Sequence, residues 1–352
     1  MNFSDASEVR RRDPSGMLDL IRRLPDMCAE AWRLPVEPPL PAVRPTNIVA
    51  LGMGGSGIGG DLLRAVLYDD ASVPVVAVKD YRAPGFLGPT SLVFACSYSG
   101  NTEETLAAYD QAAGRGATCV VVTSGGDLLR AARDRGHPAV VVPQGVPPRA
   151  ALAYLFIPML AVLGRAGVIR SFETDVREAV AILKEIARRL SPDTASSPAR
   201  RLAEQLQGRI PVIYSSSPFL EPAAQRWKDQ FNENAKTFAV WNTFPELNHN
   251  ETVGWGMDET LARTIHAIIL RDRAEPTRLA QRVSITQDLA FQRAAGVDEI
   301  KSEGEGKLAR LLSPIMVGDM TSWYLALLRG VDPTPVPVIE ELKKRLAEME
   351  AV

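Results

Sequence analysis

Histidine and cysteine are scarce in this chain, with three of each among 352 residues. His137, His249 and His266 stand far apart and never form a His-x-x-His or Glu-x-x-His pair, and Cys28, Cys96 and Cys119 have no metal spacing, so no metal site is readable. An odd number of cysteines, two of them in buried-strand contexts, points to a reduced cytoplasmic protein without a disulfide framework. An excess of one charge is also missing. Forty Lys and Arg face 42 Asp and Glu, mixed along the chain, which argues against nucleic acid or an anionic membrane as the main partner. The longest apolar stretch, 150–163, is interrupted by Tyr154 and Pro158 and falls short of the ~20 residues that span a bilayer, so it reads as a core helix. No apolar run accompanies Arg10-Arg11-Arg12, so no secretory signal is expected.

What the chain does have is 46% hydrophobic residues over a length that supports two cores. Apolar runs at 48–51, 75–78, 92–96, 118–123 and 139–142 read as strands, and 61–68, 102–113 and 127–135 read as the helices between them. That alternation predicts an α/β fold with a parallel sheet and right-handed crossovers. An amphipathic helix at 173–190 follows the core helix, and the Pro- and Ser/Thr-rich interval 191–200 reads as a linker. The alternation then restarts with strands at 210–214, 264–270 and 296–300 and helices at 222–235, 306–329 and 337–349. The expected organisation is an N-terminal helical segment (1–45), one α/β domain (46–190) and a second (200–352) ending in a C-terminal helix.

Two turns carry chemistry. The strand at 92–96 runs into Ser97-Tyr98-Ser99-Gly100-Asn101-Thr102, and a helix begins at Glu103-Glu104-Thr105. Free N–H groups at a helix N-terminus, beside the hydroxyls of Ser97, Ser99 and Thr102, suit a phosphate monoester. The strand at 48–51 runs into Gly52-Met53-Gly54-Gly55-Ser56-Gly57, which also fits G-x-G-x-x-G, with Asp80 near the position of a ribose-binding acid. A nucleotide-dependent oxidoreductase is therefore an alternative. The simpler account brings Ser56 beside Ser97, Ser99 and Thr102 at the carboxyl edge of one sheet, where both loops hold one phosphate.

A second polar constellation lies further on, in Asn232-Glu233-Asn234 at a helix end and in Pro245-Glu246-Leu247-Asn248-His249-Asn250-Glu251 in the loop after it. His249 lies between two asparagines able to fix its tautomer, with Glu246 and Glu251 close by in sequence. Arg149, after the stiff turn Pro147-Pro148, would face the same carboxyl edge as the glycine loops. A carboxylate, a histidine and an arginine beside a phosphate cradle fit proton transfer on a small phosphorylated ligand.

Together these motifs closely resemble the bifunctional phosphoglucose/phosphomannose isomerase family, sugar isomerase (SIS) proteins built from two flavodoxin-like domains. The resemblance runs over most of the chain. It implies an aldose–ketose isomerase that interconverts glucose 6-phosphate and mannose 6-phosphate with fructose 6-phosphate through a cis-enediol, without metal or other cofactor. By resemblance Ser56, Ser97, Ser99 and Thr102 hold the 6-phosphate, Gly55 and Gly100 allow close backbone approach, Glu233 moves the proton and Arg149 stabilises the intermediate. His249 would open the sugar ring in the neighbouring subunit of a homodimer. A lysine of the C-terminal helix would join it: Lys343, which flanks the apolar stripe of Ile339 and Leu346, is preferred to Lys344. Thr334 would contribute a contact for both C2 epimers. A non-catalytic SIS-type sugar-phosphate sensor is the remaining alternative, although it would not need Glu233, Arg149 and His249.

Overall fold

The computed structural model describes residues 1–194 and 196–349. Three helices open the chain, α1 (Ala6–Arg12), α2 (Met17–Arg22) and α3 (Leu24–Arg33). The first sheet contains β1 (Asn47–Leu51), β2 (Val75–Val78), β3 (Ser91–Cys96), β4 (Thr118–Thr123) and β5 (Ala139–Val141), all parallel, in the order β2-β1-β3-β4-β5. Helices α4 (Gly54–Leu67), α5 (Glu103–Gly114) and α6 (Gly126–Asp134) connect its strands, and α7 (Leu152–Arg165), α8 (Glu173–Arg189) and α9 (Pro198–Gln205) follow it. The second sheet, β6 (Ile210–Ser215), β7 (Val240–Thr243), β8 (Ile265–Arg271) and β9 (Gly296–Lys301), is also parallel and runs β7-β6-β8-β9. Its connections are α10 (Glu221–Glu233), the short α11 (Glu251–Gly254) and α12 (Glu259–Ala262), and α13 (Thr277–Leu289). Two last helices, α14 (Lys307–Leu328) and α15 (Pro337–Glu348), complete the described chain.

Strand periodicity explains the layers. Ile48, Ala50, Leu92, Phe94, Val120 and Val122 point to one side of the first sheet and join a core with α4 and α7. Their neighbours Val49, Val93, Ala95 and Val121 point to the other side, under α5 and α6. In the second sheet Ile213, Ile268 and Leu270 face the same inner core, whereas Tyr214 and Ile269 face Val283 of α13 and Phe291. The two sheets thus share a central helical layer in which α14 packs on α8, α9 and α10. Apolar on nearly every face, α14 is long enough to cross a bilayer, but 94% of its apolar window is buried inside the protein.

Both sheets place their switch point where the chain leaves the first strand to one side and returns on the other, between β1 and β3 and between β6 and β8. Ligands of open α/β sheets bind beyond the carboxyl ends of such strands. The glycine turn follows β1 and the hydroxyl loop follows β3, so the two predicted turns are neighbours.

Several elements differ from expectation. Helix α4 begins at Gly54 instead of 61, so the glycine turn itself forms the first helical turn. Residues 240–243 form edge strand β7, which polarity and partial exposure hid. Helix α13 was not legible because only Val283 and Thr286 are buried on it. Residues 191–200, expected as a linker, are packed at Ser197 and Ala199 and run into α9 at Pro198; Ala195 lies outside the described residues, as do residues 350–352 of the expected second domain. The apolar stripe beside Lys343 is not covered, because no residue of α15 is buried and Ile339, Leu342 and Leu346 are 41%, 58% and 48% exposed.

Candidate active site

The two turns are joined by the residues expected to hold phosphate. Ser56, buried in the first turn of α4, accepts a hydrogen bond from the Tyr98 backbone N–H at 3.2 Å. Fully buried Ser97 accepts from the Gly100 N–H at 3.1 Å, and its hydroxyl lies 2.8 Å from that of Thr102. Ser99 is exposed and accepts from the Asn101 N–H at 3.2 Å. Thr102 occupies the N-cap of α5 in extended conformation without a side-chain capping bond, so the helix N-terminus offers unclaimed N–H groups. Gly100 is required here: its φ is +72°, and a Cβ would lie 1.8 Å from the Gly125 carbonyl oxygen.

A tyrosine ties this cradle to the arginine turn. The buried Tyr98 hydroxyl donates to the Pro143 carbonyl (3.0 Å) and accepts from the Val146 N–H (3.1 Å), on the segment leading to Pro148 and Arg149. A Cβ at Gly55 would lie 2.9 Å from the Pro148 carbonyl oxygen, so the glycine turn lies directly against that segment.

Arg149 is only 5% exposed and reaches across to the second half. Its Nε donates to Asn234 Oδ1 (2.8 Å), its Nη2 donates to the carbonyls of Pro333 (2.6 Å) and Thr334 (2.7 Å), and its Nη1 lies 3.6 Å from Glu233 Oε2. Asn234 is held in turn by Ser322 at 2.9 Å. Burial lowers the Arg149 pKa, opposed by the carboxylate of Glu233. Burial likewise raises that of Glu233 above the usual carboxylate range, with Arg149 opposing and Asp229 reinforcing the rise. A cavity of about 100 Å3 lies between Gly54–Gly55 and the side chains of Arg149, Arg226, Asp229 and Glu233. The Thr334 hydroxyl is buried beside Arg149's carbonyl partners and has no hydrogen-bond partner.

Sequence reading missed Arg226, Asp229 and Gln230, although a signal was present. They precede Glu233 by helical spacings, which put all four on one face of α10. Arg226 pairs with buried Asp319 through two hydrogen bonds (3.0 and 2.6 Å) and donates to the Arg149 carbonyl at 3.0 Å.

Two expected residues are not in this cluster. His249 is exposed at the end of a 3-10 turn, Glu246–His249, and neither flanking asparagine fixes its ring. Asn248 donates to Thr286 and Thr252, and Asn250 serves Glu246 and the Glu251 N–H. Glu251 is not free either, since it accepts from Tyr214 and Asn242. Lys343 is exposed on α15, and among the described residues Lys344 pairs with Glu348 alone, at 3.9 Å. Among the described residues no His, Cys, Asp and Glu group gathers as a metal-binding cluster.

Sequence comparison decides the family. The chain is 38% identical over 338 residues to a bifunctional phosphoglucose/phosphomannose isomerase of Caldicellulosiruptor bescii, covering 95% of this chain and 100% of the relative. The chain belongs to the bifunctional phosphoglucose/phosphomannose isomerase family. Another member, from Aquifex aeolicus, is 36% identical over 85% of this chain and 90% of its own length. Residues 195–346 match the bacterial phospho-glucose isomerase C-terminal SIS domain. The crystal structure of a hypothetical protein from Thermus thermophilus shares the fold, with a TM-score of 0.68 at 18% identity over 97% of this chain and 89% of that one. Asp80, the acid on which the nucleotide alternative depended, is exposed and accepts from the Arg82 N–H at 3.2 Å.

Proposed function

We propose that the chain is an aldose–ketose isomerase that interconverts glucose 6-phosphate and mannose 6-phosphate with fructose 6-phosphate through a cis-enediol. The observation that carries this reading is the half-buried Glu233 carboxyl, raised in pKa by burial and 3.6 Å from the Arg149 guanidinium, beside a cavity bordered by the glycine turn. A carboxylate made more basic by burial is a better proton acceptor, and the adjacent guanidinium suits the negative charge that develops on an enediolate oxygen.

In this mechanism Ser56, Ser97, Ser99, Thr102 and the N-terminus of α5 bind the 6-phosphate, with the backbone at Gly55 and Gly100 in close approach. Glu233 takes the proton from C2 of an aldose and returns it to C1 while the hydroxyl proton passes from O2 to O1, and Arg149 steadies the enediolate between the two steps. Loss of configuration at C2 lets one base serve both epimers when the C1–C2 fragment turns before reprotonation, with Thr334 as the neighbouring polar contact. Ring opening falls to His249 of the neighbouring subunit in a homodimer and to Lys343 of the C-terminal helix. Two features support a second copy: His249 is exposed and does not line the cavity beside Glu233 in its own chain, and α15 leaves Ile339, Leu342 and Leu346 uncovered. The three cysteines are free and buried, their thiols pushed up to about 12 by burial, which suits a reducing cytoplasm.

The test is a coupled assay with purified protein on both aldose phosphates. Conversion of each to fructose 6-phosphate is expected; binding without turnover would instead favour the sensor.

A further inference from the structure

Among the described residues, Lys236 is the one non-glycine residue with a left-handed backbone, at φ +50°. It stands just after α10, where a glycine or asparagine would normally turn the chain. Strain of this kind persists where the surroundings hold it, and it marks a place to look for function.

The lysine ammonium turns back on the end of its own helix. It donates to the Glu233 carbonyl at 2.7 Å and the Asp332 carbonyl at 2.9 Å, with longer contacts to Pro333 (3.3 Å) and Asn234 (3.4 Å). Two of these carbonyls belong to the end of α10 and two to the 332–334 strap, which links α14 to α15. The same strap holds Arg149, because Pro333 and Thr334 present their carbonyls to its guanidinium. The strap's own turn is closed by the Thr334 N–H donating to Asp332 Oδ1 at 2.9 Å. One ammonium therefore joins the segment carrying Glu233 to the segment that aims Arg149.

We infer that Lys236 is a positioning residue that clamps the 332–334 strap to the end of α10 and so sets the Arg149–Glu233 geometry on which the proposed isomerisation rests. A glycine would adopt the backbone freely but could not make this clamp. The charged groups that bear on Glu233 are Arg149 from the turn before α7, Asp229 and Arg226 from α10, and Lys236 itself; Asp332 bears on both cations from the strap. Lys236 lowers the Glu233 pKa against the rise imposed by burial, so losing the ammonium makes that carboxyl harder to ionise.

Three variants test this. Lys236→Gly removes the ammonium and relieves the backbone, Lys236→Met removes the ammonium and keeps the strain, and Lys236→Arg keeps a cation. The Gly and Met variants are expected to lose kcat by on the order of 10- to 100-fold, the cost of a misplaced catalytic pair. Their KM for hexose 6-phosphates should stay within about threefold, because the phosphate cradle is untouched. The acid limb of kcat/KM should move to higher pH in both, and Lys236→Arg should recover most of the loss. Hydrogen exchange at the amides of Asp332, Thr334 and Val336 should accelerate in Gly and Met. A Gly variant with parental kcat and acid limb, or unchanged exchange in the strap, would overturn the inference. The exchange arm needs no turnover. A parent protein inactive on hexose phosphates whose strap still loosens in the variants would therefore count against the isomerase reading alone.

Discussion

Arg149 and Glu233 come from opposite halves of the chain, and the guanidinium Nη1 lies 3.6 Å from the carboxylate Oε2 where those halves share a core. Neither residue is positioned by the other. Arg149 is held by Asn234 and by the carbonyls of Pro333 and Thr334, and Glu233 by its place at the end of α10. The pair can thus lose or gain a proton on Glu233 without Arg149 moving, as a base working beside a fixed oxyanion partner requires.

Replacing the carboxylate in Glu233→Gln should reduce isomerisation by ~10²–10⁴-fold while the KM for hexose phosphates changes little. In the parent, burial raises the Glu233 pKa, so the acid limb of kcat/KM should lie above the usual carboxylate range. Activity falls as pH drops through that value, because the protonated acid cannot accept the substrate proton. Coupled kinetics across pH check both points; an active Gln variant would remove Glu233 from the proton path.

The cradle is tested by Ser97→Ala with Thr102→Ala. The two hydroxyls are 2.8 Å apart at the mouth of α5, and each lost bond to a charged phosphate should cost about 1.5–3 kcal/mol, seen as a raised KM. An unchanged KM with a normal melting curve would place the phosphate elsewhere.

Behind the site, Arg226 and Asp319 form an ion pair whose side chains are 4% and 5% exposed. Arg226→Met leaves the Asp319 carboxyl buried without its cation and should cost ~3–5 kcal/mol of stability by chemical denaturation. Asp319→Leu added to Arg226→Met should restore part of that loss, because the unpaired buried acid is then gone. Additive destabilisation would mean that the two side chains stabilise the fold independently.

Much of the fold was legible because buried parallel strands are nearly continuous apolar runs. All six residues of β3 are buried, as are five of the six in β4, and the sequence marks both. Edge strand β7, Val-Trp-Asn-Thr with no fully buried residue, offers no such run. Glu233 and the hydroxyls proposed to hold phosphate stand out in the sequence because their motifs are contiguous. The strap contacts that aim Arg149 do not, since they are carbonyls 184 and 185 residues away and carry no side-chain signature. Lys236 escaped notice for a similar reason: its partners are all main-chain carbonyls.

Turnover should survive exhaustive EDTA treatment. Of the three histidines, His137 is engaged with the Tyr109 hydroxyl (2.7 Å) and His266 with Asp298 (2.8 Å), which leaves His249 without a neighbouring ligand set among the described residues. One competitive inhibitor should show the same constant against glucose and mannose phosphates if, as proposed, one base serves both epimers. Activity lost on chelation and restored by zinc would refute the metal-free route, and unequal constants would refute the shared site.

The proposed dimer makes the sharpest demand. If His249 serves the neighbouring subunit, then His249→Ala and Glu233→Gln disable different halves of each composite site, and neither homodimer turns over well. After mixing and subunit exchange, half of the dimers are heterodimers. In each of these, the site built on the His249→Ala subunit keeps its own Glu233 and receives an intact His249 from the partner, whereas the other site has lost both. About a quarter of all sites should therefore recover in a symmetric two-fold assembly. The exposed stripe of Ile339, Leu342 and Leu346 gives a second handle: Leu342→Glu should weaken association in light scattering and lower activity in a way that rises again with protein concentration. Recovery that never exceeds the sum of the two separate variants, in a protein shown to be dimeric and exchanging, would return His249 to its own subunit and leave ring opening to another group.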